Sequence, residues 1–143
     1  MFSIIVLTFN KQVRALKKIY EIIDTHWAEV CSSLPLIEEL SEDSSFPAAD
    51  LASALASRCF YHLQEYHDAL RLALCAGKYL DISIKSEYVD TILATCIDES
   101  KSQRTAQEVD ANVAIDPRME GIIEQMFLRC YRDGCFEQVS KYH

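Results

Sequence analysis

Val13-Arg-Ala-Leu-Lys-Lys-Ile-Tyr-Glu-Ile-Ile-Asp-Thr-His-Trp-Ala-Glu-Val30 is the stretch on which the fold turns. Val13, Leu16, Tyr20, Ile23, Trp27 and Val30 follow one another in steps of 3, 4, 3, 4 and 3. That spacing lines side chains along one face of an α-helix. Ile19 and Ile22 widen the stripe to the breadth of a helix that packs on a core, beyond the narrow seam of a coiled coil. Trp27 lies on the central line of the stripe and is expected in the core.

The same grammar repeats downstream. Ser33-Leu34-Pro35 offers a cap with Pro in the first turn, opening a short helix through Leu36, Ile37 and Leu40. The polar run Ser41-Glu-Asp-Ser-Ser45 breaks it. Residues 47–64 predict a helix with Leu51, Leu55, Cys59 and Leu63 on one face and five alanines that let neighbours approach closely. A second helix follows at once over residues 66–76, turning around Glu65. Gly77 stands where a left-handed cap is wanted. Ser86 starts a helix carrying Val89, Ile92, Leu93, Cys96 and Ile97. Residues 98–114 are polar and mixed in charge, partly a helical extension and partly a loop near 100–115. Asp116-Pro117 restarts a helix with Met119, Ile122, Ile123, Met126, Phe127 and Cys130 on its apolar face, ended by Gly134.

With 3 Gly and 3 Pro in 143 residues, the turns that an all-β chain needs are missing. The expectation is an all-α fold: antiparallel helix pairs stacked as a short α-solenoid, degenerate tetratricopeptide-like, although no fixed period amounts to a repeat. A helical domain is expected over residues 13–143. Residues 1–12 are set apart as an atypical apolar segment. Met1-Phe-Ser-Ile-Ile-Val-Leu-Thr-Phe9 is too short to span a bilayer and lacks the leading charge and cleavage site of a signal peptide. Its β-branched and aromatic content reads as a strand or loose tail.

The net charge of −8 comes from 22 acidic and 14 basic side chains. The densest basic stretch, Lys11, Arg14, Lys17 and Lys18, shares its helix with Glu21, Asp24 and Glu29, so nucleic acid is a poor candidate partner. Six cysteines stand at 31, 59, 75, 96, 130 and 135. Cys59 and Cys75 fall within apolar helical runs, which favours buried, reduced thiols over bridges and an intracellular compartment.

Three constellations bear on chemistry. Cys59, His62, Glu65 and His67 are close in sequence, but Glu65 and His67 lie at or past the turn and no CxxC or HExxH spacing occurs. Both histidines are expected on the polar rim of a hairpin, with no metal. Cys130 and Cys135 are separated by four residues, not the two of a redox pair, and read as thiols flanking a turn. Glu38, Glu39, Glu42 and Asp43 read as a solvated helix end; acid–base work needs carboxylates in a dry pocket. The chain carries no P-loop, no GxGxxG and no Gly-x-Ser-x-Gly. The expectation is a chain that is not an enzyme, with no catalytic, cofactor-binding or metal-binding residues, no cofactor and no small-molecule substrate.

Two stretches reach further. Ala15-Leu-Lys-Lys-Ile-Tyr-Glu-Ile-Ile-Asp-Thr-His-Trp-Ala-Glu-Val30 followed by Leu36-Ile-Glu-Glu-Leu-Ser-Glu-Asp43 resembles the family of the large non-ATPase scaffold subunit 1 of the 26S proteasome regulatory particle. The resemblance continues through Phe60-Tyr-His-Leu-Gln-Glu-Tyr-His-Asp-Ala-Leu70, Ala73-Leu-Cys-Ala-Gly77, Ser86-Glu-Tyr-Val89, Ile97-Asp98, Ile115-Asp-Pro-Arg-Met-Glu-Gly121, Met126-Phe127 and Arg129-Cys130, covering roughly residues 15–138. No one motif is diagnostic; their order and spacing are specific. The resemblance implies an N-terminal helical rod of a non-catalytic scaffold in the base of the regulatory particle. It implies a setting in ubiquitin-dependent degradation, in cytoplasm and nucleus. The partners implied are other regulatory-particle subunits, with no nucleic acid and no membrane. An independent tetratricopeptide-like peptide-binding adaptor is the alternative; it wants a row of inward basic or Asn side chains that the sequence does not show convincingly.

Residues 1–13 do not match the family's start, and Val139-Ser-Lys-Tyr-His143 departs from its continuation. These departures suggest a fragment, a truncated isoform or replaced ends. Phe127, Cys130, Phe136 and Val139 would then form a raw apolar end, with self-association as the expected consequence.

Overall fold

The structure, a computed structural model, describes residues 2–133, with side chains described over 8–132. The described residues form six α-helices and one short 3-10 turn, and no strand among them. The chain divides into two compact units, Met1–Leu80 and Asp81–His143.

In the first unit, α1 (Phe2–Cys31), α2 (Leu34–Glu42), α3 (Ala49–His62) and α4 (Tyr66–Ala73) are followed by a 3-10 turn at Gly77–Tyr79. Helix α1 corrects the reading of the first nine residues: it is already helical at Phe2. A β-prone run becomes a strand only against a pairing partner. Prolonging a helix that is already nucleated adds one backbone hydrogen bond per residue fixed. The helix is interrupted at His26 (φ −119°, ψ 25°). The Thr25 hydroxyl donates to the Ile22 carbonyl at 3.1 Å and lies 2.8 Å from His26 Nδ1, a side-chain intrusion of the kind that bends helices.

Of the stripe on α1, Leu16, Ile23 and Val30 are buried, while Val13, Ile19, Tyr20 and Trp27 are half-buried against the core. Ile22 is 45% exposed. The stripe is therefore narrower than its sequence suggested, and Trp27 stands at its edge. Helix α3 is the centre of the unit. Leu51, Ala52, Ser53, Ala54, Leu55, Ala56, Ser57 and Cys59 are all buried, so it is enclosed on nearly every side, packed by α1, α2 and α4. Its alanines and serines allow that approach. Ser57 Oγ donates 2.6 Å to the Ala69 carbonyl of α4, and Ser53 Oγ satisfies Ala49 within the helix at 2.9 Å.

The α3–α4 turn is closed by Gln64, with φ at 63°. Gln64 N–H reaches the Tyr61 carbonyl at 3.0 Å and Glu65 N–H the Phe60 carbonyl at 2.9 Å. This is the paired bonding of a left-handed helix cap, here on a residue other than glycine. Gly77 is the second left-handed position, φ 57°. It lies beyond the end of α4 and opens the 3-10 turn.

In the second unit, Asp81 and Ser83 form a side-chain-closed turn. The Ser86 hydroxyl then caps α5 (Glu87–Val109) by accepting from Val89 N–H at 3.1 Å. Helix α6 spans Pro117–Asp133. Tyr88, Val89, Ile92, Leu93, Cys96 and Ile97 are buried on α5, and Met119, Met126 and Cys130 on α6. The loop expected near residues 100–115 shrinks to 110–116, because α5 runs on to Val109, which is 88% exposed. The extension is anchored by two glutamines. Gln103 accepts from Asp116 N–H at 3.2 Å, and Gln107 donates to the Val113 carbonyl at 3.2 Å. Asp116 begins α6 as expected, accepting from Arg118 N–H at 2.9 Å. The Arg129 guanidinium of α6 donates to the Ile82 carbonyl.

Candidate functional site: the aromatic and ionic seam of α1 and α3

Where α1 meets α3, three steps of one helix face two of the other. Tyr20, Asp24 and Trp27 come from α1, and Arg58 and His62, one turn apart, from α3. Arg58 Nη1 approaches Asp24 Oδ1 at 3.2 Å, and its guanidinium carbon lies 5.7 Å from the centre of the Tyr20 ring. Tyr20 meets Tyr79 edge-on at 5.5 Å. One turn along, Trp27 stacks on His62 with centroids 5.2 Å apart and planes 9° from parallel. Tyr61 closes edge-on against His62 at 5.0 Å. His62 Nε2 is enclosed 3.7 Å from Asp24 Oδ1, with no hydrogen-bond partner among the described residues.

Asp24 is largely exposed, so its ion pair with Arg58 holds geometry and contributes at most about 1 kcal/mol to stability. The seam's value is as a surface. It presents Trp, Tyr and Arg, the residue types that dominate binding energy at protein interfaces, already ordered by stacking and ion pairing. Sequence reasoning missed it because its members come from two helices, and because Tyr20 and Trp27 fit a core stripe equally well. The available signal was their amphipathic character: a ring in an aliphatic stripe is the member best suited to stand half in water.

The residues singled out for chemistry are dispersed. Cys59 is buried in the core, His62 sits in the seam, and Glu65 and His67 are exposed. Among the described residues no group of three or more His, Cys, Asp or Glu is arranged to hold a metal ion. Cys31, Cys59, Cys75, Cys96 and Cys130 are all outside disulfides. Burial, and then the neighbouring Cys31 thiol, push the Cys59 thiol up to about 12. Burial, and then the Asp116 carboxylate, push Cys96 up to about 11. Such groups stay protonated and are not nucleophiles. Cys75 departs from expectation: it is exposed, because α4 ends two residues earlier and the chain turns there. Cys130 is buried on α6; Cys135, Phe136 and Val139 lie outside the described residues. Phe127 is half-buried.

The acidic cluster also separates. Glu38 lies 3.5 Å from Arg71 of α4. Glu39 and Glu42 are exposed. Asp43 closes the next turn through the Ser45 hydroxyl and N–H at 2.6 and 2.9 Å, and the Ser45 bonds hold its carboxyl below the usual carboxylate range. No helix among the described residues is long and apolar enough to cross a membrane.

Residues 9–139 match the family model of 26S proteasome subunit RPN2, N-terminal domain. The 26S proteasome non-ATPase regulatory subunit 1 of Drosophila melanogaster is 44% identical over 130 residues, covering 89% of this chain and 13% of that protein. Homolog A of the same subunit in Arabidopsis thaliana is 42% identical over 130 residues, with the same coverage of 89% and 13%. The 26S proteasome regulatory subunit RPN2 of Saccharomyces cerevisiae is 35% identical over 123 residues, 82% of this chain and 13% of that protein. The chain thus spans about 13% of the length of these relatives.

Proposed function

Since the chain belongs to the family of 26S proteasome subunit RPN2 and matches its N-terminal domain, we propose that it is a non-catalytic scaffold segment of the proteasome regulatory particle. It acts in ubiquitin-dependent protein degradation, in cytoplasm and nucleus, by contacts with other regulatory-particle subunits. Nucleic acid, membrane and small-molecule substrates play no part in this reading. The observation that carries it is the family match over residues 9–139, which reaches from α1 into α6. The α1–α3 seam supports it from the structural side, offering ordered Trp, Tyr and Arg at the surface.

The test is to tag the chain, express it in its own cells, and follow its sedimentation alongside an intact proteasome marker. Scaffold function predicts a fraction co-migrating with the assembled particle and depleted by Tyr20→Ala/Trp27→Ala, with circular dichroism confirming that the variant remains folded. A tagged chain found only free or aggregated overturns the proposal.

A further inference from the structure

The outward side of α1 carries a feature that folding does not account for. Lys11, Arg14, Lys17 and Lys18 are all exposed. At about 100° per residue they fall within an arc of about 120°, and they extend over about 10 Å of helix. That arc lies opposite the line of Leu16, Ile23 and Val30, which are buried. None of the four is in an ion pair with a described residue. Asp24, the carboxylate two turns beyond Lys17, is turned instead toward Arg58 and His62 of α3, at 3.2 and 3.7 Å. Glu21 lies on the same arc, one turn beyond Lys17 and Lys18. It follows Lys17 by four residues, the weaker orientation for a helical Glu–Lys pair. Ile22, four residues beyond Lys18 on the same line, is 45% exposed.

Four cations with no ion-pair partner among the described residues stand on one arc, against the sign of a chain whose net charge is −8. We propose that this face of α1 docks an acidic helical segment of a partner protein, its carboxylates facing Lys11, Arg14, Lys17 and Lys18 and an apolar side chain meeting Ile22. Its length suits about two turns of a partner helix with carboxylates three and four residues apart. An extended polyanion would meet the acidic remainder of the surface, and an interfacial membrane helix wants a broad apolar face where, among the described residues, this arc exposes Ile22 as its one large apolar side chain. The inference rests on the reading above that the chain works through protein contacts.

The probe is a fluorescein-labelled alanine-based peptide of about 14 residues, with Glu at every third or fourth position and one Leu. Binding to the full chain is followed by anisotropy. The expected result is saturable binding that the Gln counterpart of the peptide lacks, and that weakens several-fold as salt is raised through the physiological range. Lys17→Glu/Lys18→Glu weakens it at least about tenfold, whereas Lys85→Glu/Lys101→Glu, an equal change of net charge elsewhere, does not. Equal weakening by both pairs would reduce the effect to bulk charge and overturn the proposal. So would tighter binding of oligo-dT or of phosphatidylserine vesicles than of the peptide, or no peptide binding at millimolar concentration. Since the assay uses the chain alone, its failure is distinct from a failure to co-sediment with proteasomes.

Discussion

Gln64 and Gly77 occupy almost the same backbone conformation, φ 63° and 57°, yet only one of them is glycine. The left-handed region costs a residue with a Cβ about 1–2 kcal/mol, because the Cβ crowds the following carbonyl oxygen. Glycine escapes that cost but forfeits about 0.4–1 kcal/mol through the greater freedom of its unfolded chain. Gln64→Gly is therefore expected to stabilise the first unit by about 0.5–1 kcal/mol, the exposed glutamine side chain giving up little. Gly77→Ala should destabilise by a similar amount. An alanine Cβ there would stand 3.7 Å from Asp50 Cβ, an ordinary contact, so no clash adds to the backbone term. The chain's single tryptophan is Trp27; it lies in the same unit as both sites and reports urea unfolding by fluorescence. With a slope of about 2 kcal/mol per molar, the two midpoints should part from the parent by about 0.3–0.5 M in opposite directions. A fall in midpoint for Gln64→Gly would refute the reasoning, showing that the glutamine side chain contributes more than its backbone costs. A neutral Gly77→Ala would show that the turn relaxes at no cost.

Other expectations concern the core and its thiols. Leu55→Ala should cost about 2–5 kcal/mol, since its side chain is fully buried at the centre of α3. Trp27→Ala, removing a ring half in water, should cost less, read for both variants by circular dichroism in urea; the reverse order would place Trp27 deeper than the seam shows. The thiols of Cys59 and Cys96 are raised from 9.0 to about 12 and about 11. A raised folded-state value favours the protonated form, so their stabilising contribution is whole below pH 9.0 and is lost as pH climbs toward 11–12. Urea midpoints of a Cys59→Ala/Cys96→Ala variant should accordingly fall less steeply than the parent's across that window; parallel slopes would refute this. A thiol titration of the folded chain should label exposed Cys75 well before Cys59 and Cys96.

The helices were legible because their signals are local. The 3–4 spacing, Pro after Asp116 and Ser86 as a cap each depend on a few neighbouring residues, and each has its place in the structure. What escaped was set by contacts distant in sequence. Whether Phe2–Phe9 is strand or helix depends on whether a pairing strand exists, which no local window contains. Whether Trp27 is core or surface depends on where α3 lies, and α3 begins at Ala49. Gln64 hid the left-handed cap because pattern reading looks for glycine there, whereas the paired bonds to Phe60 and Tyr61 impose that conformation on whatever residue is present. The extension of α5 through Val109 was obscured by its polarity. Its side chains from Arg104 on face water, and the glutamines that anchor the following loop look like any polar residue until their partners are seen.

The candidate site was less legible than the fold for a related physical reason. Catalysis and metal binding demand particular residue types at particular spacings, and that demand leaves a pattern a single sequence can be searched for. A docking face demands only that a rigid scaffold hold ordinary side chains in the right relative places. The seam proposed for that role takes Tyr20, Asp24 and Trp27 from the same 3–4 spacing that builds the helix, and Arg58 and His62 from across a gap of more than thirty residues. What the sequence does carry is the family as a whole, in the match to its N-terminal domain over residues 9–139 and in 44% identity over 130 residues to one regulatory subunit. The individual cysteines, histidines and carboxylates weighed as chemistry divide between core packing at Cys59 and Cys130, stacking at His62, turn closure at Asp43, an ion pair at Glu38, and open surface at Glu39, Glu42, Glu65 and His67.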